Sequence, residues 1–285
     1  MRTHHRLGRA ILLACGALGA MSLVTVLIAF PNGAPVSRDP GAPAIPWWVT
    51  LLPAAVGILL TLVLPARAAP QPAIGTSPAR LASSIWALVA IAALFPALVL
   101  ALDLGGSPEY LLMKFLVITV AAAVVVAVTK GVRIDRASGP WRWWAPALVI
   151  VVWTVLSQVA PWNPALPAMD IDPVYFAVAA LLTALTAGVG EELFYRRWLQ
   201  TRLEAALGAW PGIALTALLF ALMHLGSHGS GEVVLDIARV IVAQGSFGLF
   251  VGIMWWRYRN LIAIIVVHII VNGWGAVALL LGPSA

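Results

Sequence analysis

Four side chains in the last third of this 285-residue chain are of types that do acid–base chemistry, and all four stand in apolar surroundings. Glu191 and Glu192 are adjacent and follow a run, residues 174–190, that contains no charge. His224 stands in LLFALMHLG, and His268 stands in IIVVHIIVNG, one helical turn before Asn272. An ionisable group at membrane depth is costly and marks function by default. Glu192 and Arg196 are four residues apart, so on a helix they share a face and pair. Glu191 points roughly 100° away at about 3.6 residues per turn and finds no counter-ion on its own helix. A partly desolvated carboxylate without a cation is suited to general-base work. The spacing therefore assigns Glu191 to chemistry, and Glu192 with Arg196 to bracing. Phe220, four residues before His224, shares its face and packs on the imidazole. His268 and Asn272 share another face, pairing a titratable ring with an amide donor. Groups of this kind on three separate helices point to one shared site.

The elements that must position them are membrane helices. The chain is 62% hydrophobic and 10% charged, against about 25% charged in a soluble domain. A bilayer core of about 30 Å takes about 20 apolar residues per helix. Segments of that kind lie at 8–30, 47–66, 81–102, 110–130, 143–160, 174–195, 211–226, 237–256 and 261–282, joined by polar or Pro- and Gly-rich stretches. The expected fold is all-α, a polytopic transmembrane bundle of about eight to nine spans in the cell membrane. With the N-terminus inside, all but three of the 17 Lys and Arg fall in inner segments; the exceptions are Arg38, Lys114 and Arg239, at or near the outer side. Acids gather outside, as the positive-inside rule expects. Trp47, Trp48, Trp143, Trp144, Trp255 and Trp256 fall at predicted interfaces, the place for anchoring indoles. Residues 197–208, RWLQTRLEAALG, read as an amphipathic helix along the inner surface, stopped by Gly208.

Other features narrow the classes. The net charge of +6 comes without a basic cluster interleaved with aromatics, so no nucleic-acid partner is expected. The single Cys15 excludes an intramolecular disulfide. The apolar stretch after Arg9 is too long for a signal peptide and reads as an uncleaved first span. Neither H-E-x-x-H nor G-x-S-x-G occurs. His228, in the GSHGSG stretch, reads as a loop histidine rather than a ligand. Gly188 and Gly190 read as points of close helix approach.

Taken together, Glu191-Glu192-x-x-x-Arg196, Phe220-x-x-x-His224 and His268-x-x-x-Asn272 resemble the three motifs of the CPBP family, the CAAX proteases and bacteriocin-processing enzymes that include the type II CAAX prenyl protease. The resemblance covers roughly residues 170–280 and divides the chain into accessory helices, 1–165, and a catalytic core, 166–285. It implies an intramembrane endopeptidase acting on a lipidated or membrane-associated peptide or protein. Glu191 would activate water with help from His224, His268 and Asn272 would hold the oxyanion, and Glu192, Arg196 and Phe220 would support the site. A donor in such a site is worth about 2.7–4 kcal/mol.

Two alternatives stay open at this level. Glu191, His224 and His268 also compose a zinc set, although the resemblance leans towards a metal-free glutamate mechanism. A non-enzymatic scaffold, immunity protein or transporter would keep the motifs for packing, but a transporter should show repeated halves, and none is visible. Helix lengths raise one difficulty: Glu191 sits closer to its flanking arginines than His224 does to its helix start. The three meet only if helices tilt or the Glu191 helix continues inward.

Overall fold

The computed structural model describes residues 2–35, 43–66, 72–135, 142–164, 173–228 and 232–281. Among them the chain forms nine helical segments: α1 (Arg2–Ala29), α2 (Trp47–Val63), α3 (Pro78–Ala101), α4 (Glu109–Thr129), α5 (Trp144–Val159), α6 (Ala177–Leu207), α7 (Ala209–Ser227), α8 (Val233–Tyr258) and α9 (Leu261–Leu281). Each coincides with one expected span. Six, namely α1, α3, α4, α6, α7 and α8, are long and apolar enough to cross a membrane; α2, α5 and the described part of α9 are shorter apolar helices. The protein is a helical, multi-pass membrane protein. Its outer surface carries Leu13, Ile28, Trp86, Val128 and Ile262, an apolar exterior suited to lipid. The expected outer-loop acids Asp170 and Asp172, and Arg38, lie outside the described residues, as does the side chain of His228.

Local chemistry explains the ends. The Ser77 hydroxyl accepts from the Arg80 N–H at 3.4 Å and Pro78 follows at the first helical position, a start that uses one orphan donor and a preset φ. Gly208 ends α6 at φ +94°, a conformation costly for any residue with a Cβ.

Long α8 is the axis of the bundle, packed against α1, α2 and α7. Gly245, Gly248 and Gly252 face α7, where an added Cβ would meet Ala221, Phe220 and Ile213 respectively. Small residues at this spacing let helices approach where lipid supplies no hydrophobic drive. One apolar cluster joins α3, α4, α6 and α7 through Phe95, Ile118, Phe194, Tyr195, Leu199 and Phe220. A second joins α2, α5, α8 and α9 through Trp153, Phe250, Trp255 and Ile264. A short antiparallel ribbon, β1 (Pro72–Ile74) on β2 (Val132–Ile134), ties the chain before α3 to the chain after α4.

Two expectations are corrected. Residues 197–208 are not a surface helix: α6 runs unbroken to Leu207, and its polar residues Gln200, Arg202 and Glu204 are buried with its apolar ones. Pairing makes that burial tolerable. Gln200 donates to Glu204 and to the Gly252 carbonyl, both at 2.8 Å, and Glu204 pairs with Arg259. The Glu191 helix thus continues past its arginines, one of the two arrangements, with helix tilt, that the helix lengths left open. Second, the paired tryptophans do not all anchor. Trp47 donates to the Phe30 carbonyl at 2.9 Å and Trp255 to Thr201 Oγ1 at 3.2 Å, both buried, while Trp48, Trp143 and Trp144 are exposed. Neighbours on a helix point about 100° apart, so in the Trp47–Trp48 pair only one ring faces outward.

Candidate active site

The site is built around α6, with α9 on one side and α4 on the other. Gly188 and Gly190 make this possible. A Cβ on Gly188 would stand 2.6 Å from Ile269 of α9, and one on Gly190 would stand 2.6 Å from Thr119 Oγ1 of α4. The glycines therefore admit the helices that carry His268 and Lys114. From Ala184 to Gln200 the backbone is wound in the wider π form, a winding that elsewhere gathers at functional sites.

Glu191 and Glu192 are both buried, at 1% and 0% exposure. His268 lies between them: Nδ1 is 2.6 Å from Glu192 Oε1 and Nε2 is 3.7 Å from Glu191 Oε2. Glu192 Oε2 is 3.3 Å from Arg196 Nε, the expected pair within one helix. That contact has ion-pair distance without hydrogen-bond geometry. The guanidinium instead spreads over the Phe220 ring, 4.8 Å from its centroid, a cation–π contact strengthened by desolvation.

Glu191 does have a cation, contrary to the reading from its own helix. Lys114 of α4 donates to Glu191 Oε1 at 2.8 Å, and both side chains are buried. Lys114, counted at or near the outer side, is thus turned into the bundle rather than towards solvent. The lysine ammonium also lies over the Tyr110 ring, 4.8 Å from the centroid. Helical spacing reveals only partners three or four residues away, and this pair is 77 residues apart. The available signal was a single lysine inside an otherwise apolar span, which in lipid demands a partner.

Phe220 is the hinge of the aromatic part. Its ring is 4.9 Å from His224, 6.0 Å from His268 and 5.3 Å from Tyr195, centroid to centroid. Phe247 of α8 adds a contact at 5.3 Å to His268, a neighbour that none of the motifs contains. His224 Nδ1 lies 2.9 Å from the Phe220 carbonyl. A carbonyl only accepts, so Nδ1 carries a proton. Asn272 lies one turn beyond His268 on α9 and is exposed. The structure thus brings Glu191, Glu192, Arg196, Phe220 and His268 together, with His224 joined through Phe220.

Among the described residues no three His, Cys, Asp or Glu side chains form a group able to hold a metal ion, so Glu191, His224 and His268 do not compose a zinc site here.

Residues 173–274 match the model of the family described as type II CAAX prenyl endopeptidase, Rce1-like. All the motif residues fall inside that stretch, and the CAAX-protease resemblance is borne out over it. The match supports a peptidase. Neither the curated proteins nor the solved structures returned a match.

Proposed function

We propose, on the premise that residues 173–274 form a type II CAAX prenyl endopeptidase segment of the Rce1-like family, that the protein hydrolyses a peptide bond of a lipidated or membrane-associated peptide, with Glu191 as general base. One observation carries this reading. Glu191 Oε2 is buried and accepts no hydrogen bond, while Oε1 is held by Lys114. A carboxylate fixed by one oxygen leaves the other to accept a proton from water.

In the proposed reaction Glu191 Oε2 takes a proton from water as its oxygen attacks the scissile carbonyl carbon. The carbonyl π bond opens to an oxyanion. His268, with both ring nitrogens protonated and Nδ1–H held by Glu192, donates to that oxyanion from Nε2–H, and Asn272 on the next turn supplies the second donor. His224 holds the water through its Nε2 lone pair. The oxyanion then collapses, the C–N bond breaks, and the proton on Glu191 passes to the leaving amine. Lys114 is a positioning residue that keeps Glu191 in place. Arg196 and Phe220 brace Glu192 and the two imidazoles. The chemistry belongs to residues 166–285 in this reading, and helices from 1–165 steady it through Lys114.

The test is cleavage of a fluorogenic membrane peptide by purified protein in nanodiscs, wild type beside Glu191→Gln. Loss of cleavage in a variant that still folds is the expected result, with a lowered unfolding midpoint because Lys114 loses its carboxylate. Equal rates would remove Glu191 from the chemistry. A second reading draws on the same ion pair: a buried Lys–Glu link also suits a non-catalytic scaffold. On that reading no peptide is cut, and Glu191→Ala, Glu192→Ala and His268→Ala leave the cellular phenotype intact.

A further inference from the structure

Eleven residues beyond Glu191, at most about 16 Å along α6 at 1.5 Å per residue, a second charged region opens. A cleft of about 420 Å³ lies at the end of α3, α4 and α6, lined by Arg80, Lys130, Arg133 and Arg202 among others. Among the described residues no Asp or Glu lines it. Among the described residues none of the four cations forms a salt bridge, whereas Lys114, Arg196, Arg239 and Arg259 each have a carboxylate.

The cleft is constructed rather than incidental. Arg202, 5% exposed, forms its floor. Its Nε donates to Ser84 Oγ at 3.2 Å and its Nη1 to the Trp198 carbonyl at 3.1 Å. Those two bonds fix the plane of the guanidinium but leave its charge uncompensated. Arg80, Lys130 and Arg133 stand exposed around the rim. The β1–β2 ribbon holds the rim in place, and the Gly75 N–H donates to the Gly131 carbonyl at 2.7 Å beside it. Gly131 takes φ +142° to turn the chain there, a conformation that favours glycine.

Position selects the ligand. Arg80 is in the first turn of α3, and Lys130 directly follows the last residue of α4. Both helices are long and apolar enough to span the bilayer, so their ends stand at the level of the lipid headgroups. Basic pockets between helix ends are suited to anionic headgroups, and a fixed guanidinium fork matches phosphate oxygens. We propose that this cleft binds the phosphate of an anionic glycerophospholipid, with Arg202 at the base and Arg80, Lys130 and Arg133 closing around it. The proposal does not rest on the peptidase reading.

The test uses the full chain, delipidated in neutral detergent, with bound lipid counted by native mass spectrometry. Phosphatidylglycerol is offered beside phosphatidylcholine, with inorganic phosphate and glycerol 3-phosphate as soluble competitors. Phosphatidylglycerol should bind at least tenfold more tightly than phosphatidylcholine, and raised salt should weaken it. Arg80→Gln/Arg133→Gln, which alters only exposed side chains, should abolish that preference, and Arg202→Gln should do the same where it folds. Equal retention of phosphatidylglycerol by wild type and the double variant would overturn the proposal, as would equal binding of phosphatidylcholine. Inorganic phosphate binding as tightly as the lipid would overturn the lipid assignment in favour of a soluble anion. A raised peptide KM in the double variant with lipid binding unchanged would give the cleft to the substrate instead.

Discussion

One helix, α6, passes through two charged regions that are balanced in opposite ways. Around Glu191 and Glu192 every charge has a protein partner: Lys114 for one carboxylate, Arg196 and His268 for the other. Around Arg202 four cations share a cleft with no acid. Burying a charge is costly unless it is paired, so the first region is closed by the protein alone. The second keeps its charge where water and lipid headgroups reach it. On the two proposals above, the first region acts on a substrate and the second holds a ligand.

The comparison can be broken at several points. On the proposed chemistry Glu191→Gln gives the largest effect, a loss of about 10²- to 10⁴-fold in cleavage rate, the usual share of a general base. Next comes Lys114→Met, which strands a buried carboxylate and costs about 3–5 kcal/mol of stability. The double variant Lys114→Met/Glu191→Gln should recover much of that in unfolding experiments. Strict additivity of the two changes would show that the pair is not coupled. Smaller again are Gly188→Ala and Gly190→Ala, each overpacking a helix contact at about 1–3 kcal/mol. Gly273→Ala on α9 meets nothing within 4 Å and serves as the control, with an unchanged midpoint. Exhaustive chelation should have no effect on cleavage; loss restored by added zinc would return Glu191, His224 and His268 to the role of metal ligands.

Whatever depends on one helix was legible in the sequence. Among the described residues nine apolar stretches gave nine helices, Glu192 paired with Arg196 at i,i+4, and Phe220 packed on His224. Gly188 and Gly190 could be read as close approaches because only a missing Cβ explains them. What failed was the pairing of particular side chains between helices distant in sequence. Lys114 looked like a boundary lysine because its partner lies on another span. Residues 197–208 looked interfacial because their polar face is satisfied by Gly252, Ser84 and Arg259, all remote in the chain. The same limit applies to the tryptophans: Trp143 and Trp144 are both exposed whereas Trp47 is buried beside exposed Trp48, and only the partner helices decide which.

The Lys114–Glu191 pair also sets an order of events during synthesis. Lys114 leaves the ribosome 77 residues before Glu191, about 4–15 s earlier at synthesis rates of about 5–20 residues per second. Through that interval α4 has an ammonium with no carboxylate to meet, so its early placement in the bilayer is provisional. Chains truncated before residue 173 should accordingly leave α4 more open to modification from the aqueous phase than full-length chains do. The helix that completes the site is then also the helix that brings Lys114 its carboxylate.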